Sequence, residues 1–122
     1  MTLKECYAAL GGDYDEVIGR LRSERLVQKF VLKFLNDGSY DLLRSSLEAG
    51  DREEAFRAAH TIKGICANLA FNTLLASSEE LTEALRNGAP PKPGEEELIR
   101  RVEEDYSRAV QTIRIFQEGA GG

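Results

Sequence analysis

Apolar residues recur every three or four positions along most of the chain, the spacing that places them on one face of a helix. This pattern predicts helices over residues 24–36, 40–49, 51–70, 73–87 and 95–118, with shorter helical segments over 2–10 and 14–19. No comparable stretch alternates with the period of two expected of a strand. The elements therefore indicate an all-α, antiparallel up-and-down bundle.

Residues typical of helix ends separate these segments. Predicted N-terminal caps are Asp13, Ser39, Asp51 and Asn72. The three prolines lie together within residues 88–94, and the roughly 28 residues that follow are too few to form a core alone. We therefore predict a single domain over 1–122, with N-terminal helical segments over 1–23, the helical bundle over 24–118 and a flexible tail over 119–122.

The charge balance argues against nucleic acid and membrane partners. Sixteen basic residues against 21 acidic ones give a net charge of −5, which disfavours binding to phosphate backbones or anionic lipid surfaces. No apolar run approaches the ~18–20 residues that would span a bilayer. Glu5 interrupts the amino-terminal segment where a secretory signal would be apolar. These features predict a cytoplasmic protein.

The reactive residues are few. Cys6 and Cys66 are far apart in the sequence, without metal-binding or redox spacing, so both are expected to be reduced. The chain also lacks a Walker lysine loop, a G-x-G-x-x-G fingerprint and a G-x-S-x-G elbow. The usual signatures of an enzyme are therefore absent.

His60 is the only histidine of the chain, and its neighbours suggest a chemical role. It lies between core-facing Ala59 and Ile62, so a helical turn of about 100° per residue places it beside the apolar stripe, towards solvent. Lys63 and Gly64 share its face. Lys63 is suited to stabilise negative charge at the imidazole, and Gly64 to admit the backbone of another protein. The same spacing also fits a purely structural interpretation, in which His60 is an ordinary surface histidine, Lys63 is a solvated charge and Gly64 allows tight packing of a neighbouring helix. The spacing by itself does not decide between the functional and the structural interpretation.

Residues 59–64 read Ala-His-Thr-Ile-Lys-Gly and are followed by small and apolar residues. This H-x-x-K-G segment resembles the motif of histidine-containing phosphotransfer (HPt) domains, the phosphorelay modules of two-component signalling. The resemblance covers most of the chain and extends to the stand-alone bacterial members. It implies an HPt-like four-helix bundle, preceded here by the short N-terminal segments. It also implies that His60 is the phosphorylated nucleophile, Lys63 a stabilising charge and Gly64 the point where a partner approaches.

The chain departs from the HPt pattern at two positions. Ala70 stands where the family usually has glycine, ten residues after the histidine, and Thr82 stands where many members have Gln or Glu, twenty-two residues after it. In the family that Gln or Glu hydrogen-bonds the imidazole nitrogen that is not phosphorylated. Thr82, Glu79 and Glu83 are the candidates for this orienting role, and the sequence does not choose among them.

The resemblance implies reversible phosphoryl transfer between His60 and the phosphoaspartate of receiver domains. The chain is then a carrier rather than an enzyme, without an ATP-binding or kinase domain and without a cofactor of its own, while Mg²⁺ is supplied at the receiver. A receiver of a hybrid histidine kinase is one candidate partner. Because the apolar stripes can all be buried within one bundle, we expect a monomer.

The docking surface is predicted around His60. Phe56, Arg57 and Ala67 are expected to contact the partner, although Phe56 also fits a place at the edge of the core. One alternative function is a non-phosphorylated HPt-like adaptor that binds a receiver or a histidine kinase. Another, a carboxylate-rich metal-binding bundle, is disfavoured because His60 has Arg57, not Glu, three residues before it.

Overall fold

Seven α-helices make up most of the described part of the chain, which in this computed structural model is residues 1–121, with side chains described as far as residue 119. They are α1 (Leu3–Leu10), α2 (Tyr14–Leu21), α3 (Glu24–Phe34), α4 (Ser39–Ala49), α5 (Arg52–Leu69), α6 (Asn72–Leu85) and α7 (Glu95–Gly121). A short 3₁₀ turn, Arg86–Gly88, follows α6. Residues 1–121 contain no strand, so the predicted all-α class is confirmed.

Helices α4 to α7 form the predicted four-helix up-and-down bundle. Each packs against the next in chain order, and the two-residue connections after α4 and after α5 turn the chain back on itself. Tyr40 stacks on Tyr106, with ring centroids 4.0 Å apart, and so joins α4 to α7. All four helices contribute buried apolar side chains, among them Leu43, Ile62, Cys66, Leu81, Val102 and Ile113.

Aromatic side chains connect the amino-terminal helices to this bundle. The ring of Phe71, in the turn after α5, lies 5.5 Å from that of Tyr7 on α1 and 5.3 Å from that of Phe34 on α3. Phe34 also lies 5.7 Å from Tyr106 on α7. Ring separations in this range are favourable. The aromatic cluster therefore makes α1 and α3 part of the same core as the bundle.

Two of the predicted helix caps have the expected geometry. The side chain of Asp13 accepts a hydrogen bond from the Glu16 amide at 2.9 Å, and that of Asp51 accepts one from the Glu54 amide at 3.1 Å. These bonds satisfy amides that have no partner within the helix. Asp51 thereby fixes the start of α5, the helix that carries His60.

The other two predicted caps are wrong by one residue. Ser39 is the first residue of α4, and its amide donates to the carboxylate of Asp37 at 2.9 Å. Asn72 is the first residue of α6, and the amide of Thr73 donates to the Gly11 carbonyl at 3.0 Å. Gly11 is distant in sequence from α6, so the local sequence pattern does not reveal that its carbonyl binds an amide at the start of this helix.

Several predicted helix ends also differ from the structure, among them that of α2, which ends at Leu21 rather than at 19. Helix α3 ends at Phe34 rather than at 36, because the amides of the next three residues bond to carbonyls three positions back. Helix α6 ends at Leu85 rather than at 87, where the 3₁₀ turn begins. Helix α7 continues to Gly121, packed against α1, although a tail was predicted over 119–122. Residue 122 lies outside the described residues.

The amino-terminal helices hold the carboxyl end of α5. Three donors bond to its last carbonyls: the Tyr7 hydroxyl to Leu69, the Asp13 amide to Ala70, and the Arg20 guanidinium to Ala67 and Asn68, all at 2.8–2.9 Å. The last carbonyls of a helix otherwise lack partners. Helices α1 and α2 therefore fix the end of the helix that carries the site.

Ala70 ends α5 in the left-handed conformation, with φ 57° and ψ 39°. This is the position where the HPt pattern usually has glycine, which adopts that conformation without steric cost. The amide of Phe71 donates to the Cys66 carbonyl at 3.0 Å and closes the turn. Ala70 therefore adopts the left-handed turn that glycine occupies more often at helix ends.

Candidate functional site

His60 is exposed near the middle of α5, as the apolar stripe predicts. The neighbouring side chains Ala59 and Ile62 are buried, at 0% and 3% exposure. The helix is thus anchored on one side and presents the imidazole on the other. The arrangement leaves His60 accessible to a second molecule.

Gly64 lies one turn after His60 in open space. A Cβ built on Gly64 would meet no heavy atom within 4 Å among the described residues, its own helix backbone and chain neighbours left out. The alternative that Gly64 allows tight packing against a neighbouring helix is therefore wrong. A glycine in a helix interior costs about 1 kcal/mol relative to alanine, and no contact within the described chain accounts for that cost.

Lys63 lies at the border between α5 and α6. Its side chain is half-buried. The hydrogen bond from Arg86 lowers the pKa of the Glu83 carboxyl, and the charge of Lys63 adds a smaller effect in the same direction. Lys63 on α5 therefore acts electrostatically on Glu83 of α6, which pairs with Arg86 at 2.6 Å.

Phe56 lies beside His60. The phenyl and imidazole rings are nearly parallel, at 12°, with centroids 5.9 Å apart. Arg57 instead pairs with Glu54, at 2.6 Å, and Ala67 is exposed one turn after Lys63. The three residues predicted to contact a partner are thus spread along α5, and the ring of Phe56 stacks on that of the histidine.

Thr82 does not orient the imidazole. Its side chain is completely buried, and its hydroxyl donates to the Ser78 carbonyl of its own helix at 2.6 Å. The hydroxyl is thus bonded within α6 and buried, whereas the imidazole is exposed, so the interpretation of Thr82 as the orienting residue is wrong.

Glu83 and Glu79 are both exposed on α6, one turn apart. Both carboxylate oxygens of Glu83 accept hydrogen bonds from Arg86, at 3.0 and 2.6 Å. Within the described residues, neither glutamate hydrogen-bonds the imidazole of His60. The structure therefore supplies no hydrogen-bonded orienting partner from the predicted set.

Arg86 is the residue of this region that sequence reasoning missed. Its guanidinium carbon lies over the Phe56 ring, 5.4 Å from the centroid, a distance typical of cation–π contacts. Arg86 stands just after the end of α6, where helical spacing no longer predicts which way a side chain points. Only the packing of α6 against α5 brings it to the site.

The described residues offer no site for a metal. Among them, no group of three or more His, Cys, Asp or Glu side chains is placed to hold an ion. A cleft of about 830 Å³ lies between α5 and the start of α7 and is lined by Arg52 and residues 91–97 among others, none of them from the candidate site.

The family comparison agrees with this geometry. The family model for the Hpt domain matches residues 33–112, so the chain belongs to the Hpt domain family. Members of this family take part in histidine phosphotransfer in two-component systems, interact with receiver domains, and are phosphocarrier modules without a kinase domain. No match was found among the curated proteins or the solved structures.

None of the helices in residues 1–121 combines the length and the apolar character needed to cross a membrane.

Proposed function

We propose that this chain is a phosphorelay intermediate that accepts a phosphoryl group on His60 from the phosphoaspartate of one receiver domain and passes it to another. The observation that carries the proposal is the open space at Gly64, one turn from the exposed imidazole. A glycine that costs helix stability and touches nothing within the described chain is explained by the approach of a partner.

The reaction needs one nucleophile and a well-placed partner. The lone pair of one imidazole nitrogen attacks phosphorus, an N–P bond forms, and the P–O bond to the aspartate breaks with its electrons leaving on the carboxylate. The proton on the other nitrogen stays in place, so the chain needs no base. Charge neutralisation comes from Lys63 and from Mg²⁺ at the receiver. The return transfer is the same step in reverse.

The partner surface in this proposal follows the exposed side of α5. Gly64 and Ala67 provide a small-residue path, Phe56 an apolar edge, and Arg57 and Lys63 a basic border. A receiver must hold carboxylates around its phosphoaspartate to bind Mg²⁺, and such an acidic centre is complementary to these cations. We also assign the relay to the cytoplasm, which is compatible with the free, buried thiols of Cys6 and Cys66.

Transfer from a radiolabelled phosphorylated receiver with Mg²⁺ tests the proposal. The native chain should acquire label that is acid-labile and alkali-stable, and His60→Gln should acquire none. Circular dichroism of the variant shows whether the fold is intact. Label retained by the folded His60→Gln chain would place the phosphoryl group elsewhere and contradict the proposal.

A non-phosphorylated adaptor is the second candidate, and the burial of Thr82 favours it. The orienting hydrogen bond that many family members have is missing from this position. An adaptor would bind the receiver with the native fold yet take no label from any of several receivers. Binding and transfer measured on the same receiver samples separate the two functions.

A further inference from the structure

We propose that Phe56 is the positioning residue for the His60 imidazole, and that Glu83 acts on the histidine only indirectly, by holding Arg86 over Phe56. The inference rests on the proposed function, because it names the group that prepares the same histidine for phosphoryl transfer. It assigns to a ring contact the task that a hydrogen bond performs in many members of the family.

Neither Thr82 nor Glu83 forms a hydrogen bond that would orient the His60 imidazole. Thr82 bonds to Ser78 inside α6, and Glu83 bonds through both oxygens to Arg86. A histidine whose ring turns freely presents its reactive nitrogen in the correct direction for only part of the time, and transfer is slowed accordingly. Another contact must therefore restrict the ring if transfer is to be fast.

Phe56 supplies that contact. It stands four residues before His60, and side chains with this spacing meet on the same helix face. The two rings lie 12° from parallel at 5.9 Å, within the range of favourable offset stacking. Contact with the phenyl ring restricts rotation of the imidazole about its Cβ–Cγ bond, while His60 stays exposed to solvent and thus to a receiver.

The phenyl ring is itself held in place. The guanidinium of Arg86 lies over it at 5.4 Å, and two hydrogen bonds to Glu83 fix the guanidinium. Glu83, Arg86, Phe56 and His60 thus form a continuous series of contacts from α6 to α5. In this series the ring of Phe56 is the group that stacks on the imidazole.

Phosphoramidate is a small phosphoryl donor that reacts without a receiver domain. Its reaction with His60 therefore tests the positioning of the imidazole separately from the docking of a receiver. The variants are Phe56→Leu, which removes the ring but keeps apolar volume, and Phe56→Tyr, which restores it. Phe30→Leu is the matched control, because Phe30 is also half-buried but lies on α3 and lines a separate groove. NMR shifts of the His60 ring protons report the stack directly, because an aromatic neighbour moves them upfield.

We expect Phe56→Leu to lower the rate of phosphorylation by phosphoramidate roughly 2- to 10-fold. This factor is the interaction free energy of an aromatic pair converted to a ratio of rates. Phe56→Tyr should recover most of that loss, and Phe30→Leu should show none. The upfield shift should be present in the native chain and in Phe56→Tyr and lost in Phe56→Leu. If Phe56→Leu unfolds, Arg86→Gln is the second variant, because it removes the cation that lies over the Phe56 ring. It should lower the rate of phosphorylation by phosphoramidate by a smaller factor.

Two results would overturn the inference. One is a native phosphoramidate rate in Phe56→Leu together with slower transfer from a receiver, which would make Phe56 a docking residue only. The other is the absence of an upfield shift on the His60 ring in the native chain. Failure of the native chain to accept label from either donor would instead contradict the proposed function, and the ring shift would still decide whether the stack exists.

Discussion

Under the proposed function, stability and partner access compete at a single residue, Gly64. Alanine would fit at position 64 in the interior of α5, because a Cβ built there meets no atom within 4 Å among the described residues. We therefore expect Gly64→Ala to raise the free energy of unfolding by up to about 1 kcal/mol, and to slow transfer from a receiver because the methyl group obstructs the partner. Urea unfolding followed by circular dichroism and receiver transfer assays measure the two effects.

The small donor provides the control for this prediction. Phosphoramidate does not dock on α5, so Gly64→Ala should react with it at nearly the native rate. A chain that becomes more stable and still accepts phosphoryl groups from the receiver at full speed would show that the open space at Gly64 serves no partner.

The sequence predicted the exposed residues of α5 better than those of α6. His60, Gly64 and Ala67 lie on the exposed side because their positions relative to buried Ala59 and Ile62 follow from helix geometry alone. Whether a residue of α6 reaches His60 depends on the rotation of α6 in the bundle, which one sequence does not encode locally. Thr82 was misjudged for that reason.

At the scale of elements, one ion pair ties the start of α5 to the start of α7. Arg52 bonds to Glu95 and to the Ala89 carbonyl, and the two charged side chains are only 17% and 9% exposed. We expect Arg52→Met to lower the free energy of unfolding by about 1–3 kcal/mol, because it leaves a poorly hydrated carboxylate and carbonyl without their donor. Urea denaturation gives the value.

Arg100 offers a matched comparison within α7. It pairs with Glu97 and Glu104, but all three side chains are more than half exposed. Arg100→Met should therefore cost no more than about 1 kcal/mol. Equal losses for the two variants would mean that burial does not strengthen the Arg52–Glu95 pair.

Helix ends were predictable where the capping group is local. Asp13 and Asp51 act through amides three residues away, a spacing visible in the sequence. The start of α6 depends on Gly11, and α7 packs against α1. Such contacts join distant segments, so the apolar pattern yielded the helices and their order but not these ends.

At the scale of the whole molecule, burial of the thiols links stability to alkaline pH. Burial raises the pKa of Cys66 to about 12 and that of Cys6 to about 11, from a usual value of 9.0. Their folded-state pKa values exceed the unfolded ones, so their contribution is complete below pH 9 and is lost as the pH rises towards 11–12. The free energy of unfolding should fall by up to about 1.4 kcal/mol per pH unit for each thiol.

Urea denaturation at several pH values between 8 and 11 measures this slope. Cys66→Ala lowers stability at every pH through lost packing, but it should also make the alkaline slope shallower. An unchanged slope in both Cys66→Ala and Cys6→Ala would show that neither thiol contributes to the pH dependence.

The distribution of apolar surface predicts a monomer. Among the described residues, the large apolar side chains that stay exposed are Met1, Leu42 and Ile115, on the amino terminus, α4 and α7. Single exposed apolar residues are normal for monomeric proteins. Sedimentation should give a mass that does not change with concentration, and a stable dimer would refute the prediction.

The bonds from α1 and α2 to the end of α5 bear on where this protein can be divided. The family match begins at residue 33, whereas Tyr7, Asp13 and Arg20, which bond to the last carbonyls of α5, all precede it. A fragment cut at 33–112 would expose Phe71 to water and release the turn after the histidine helix. We expect it to show reduced helix content and no cooperative unfolding transition by circular dichroism, so the folding unit extends further towards the amino terminus than the family boundary.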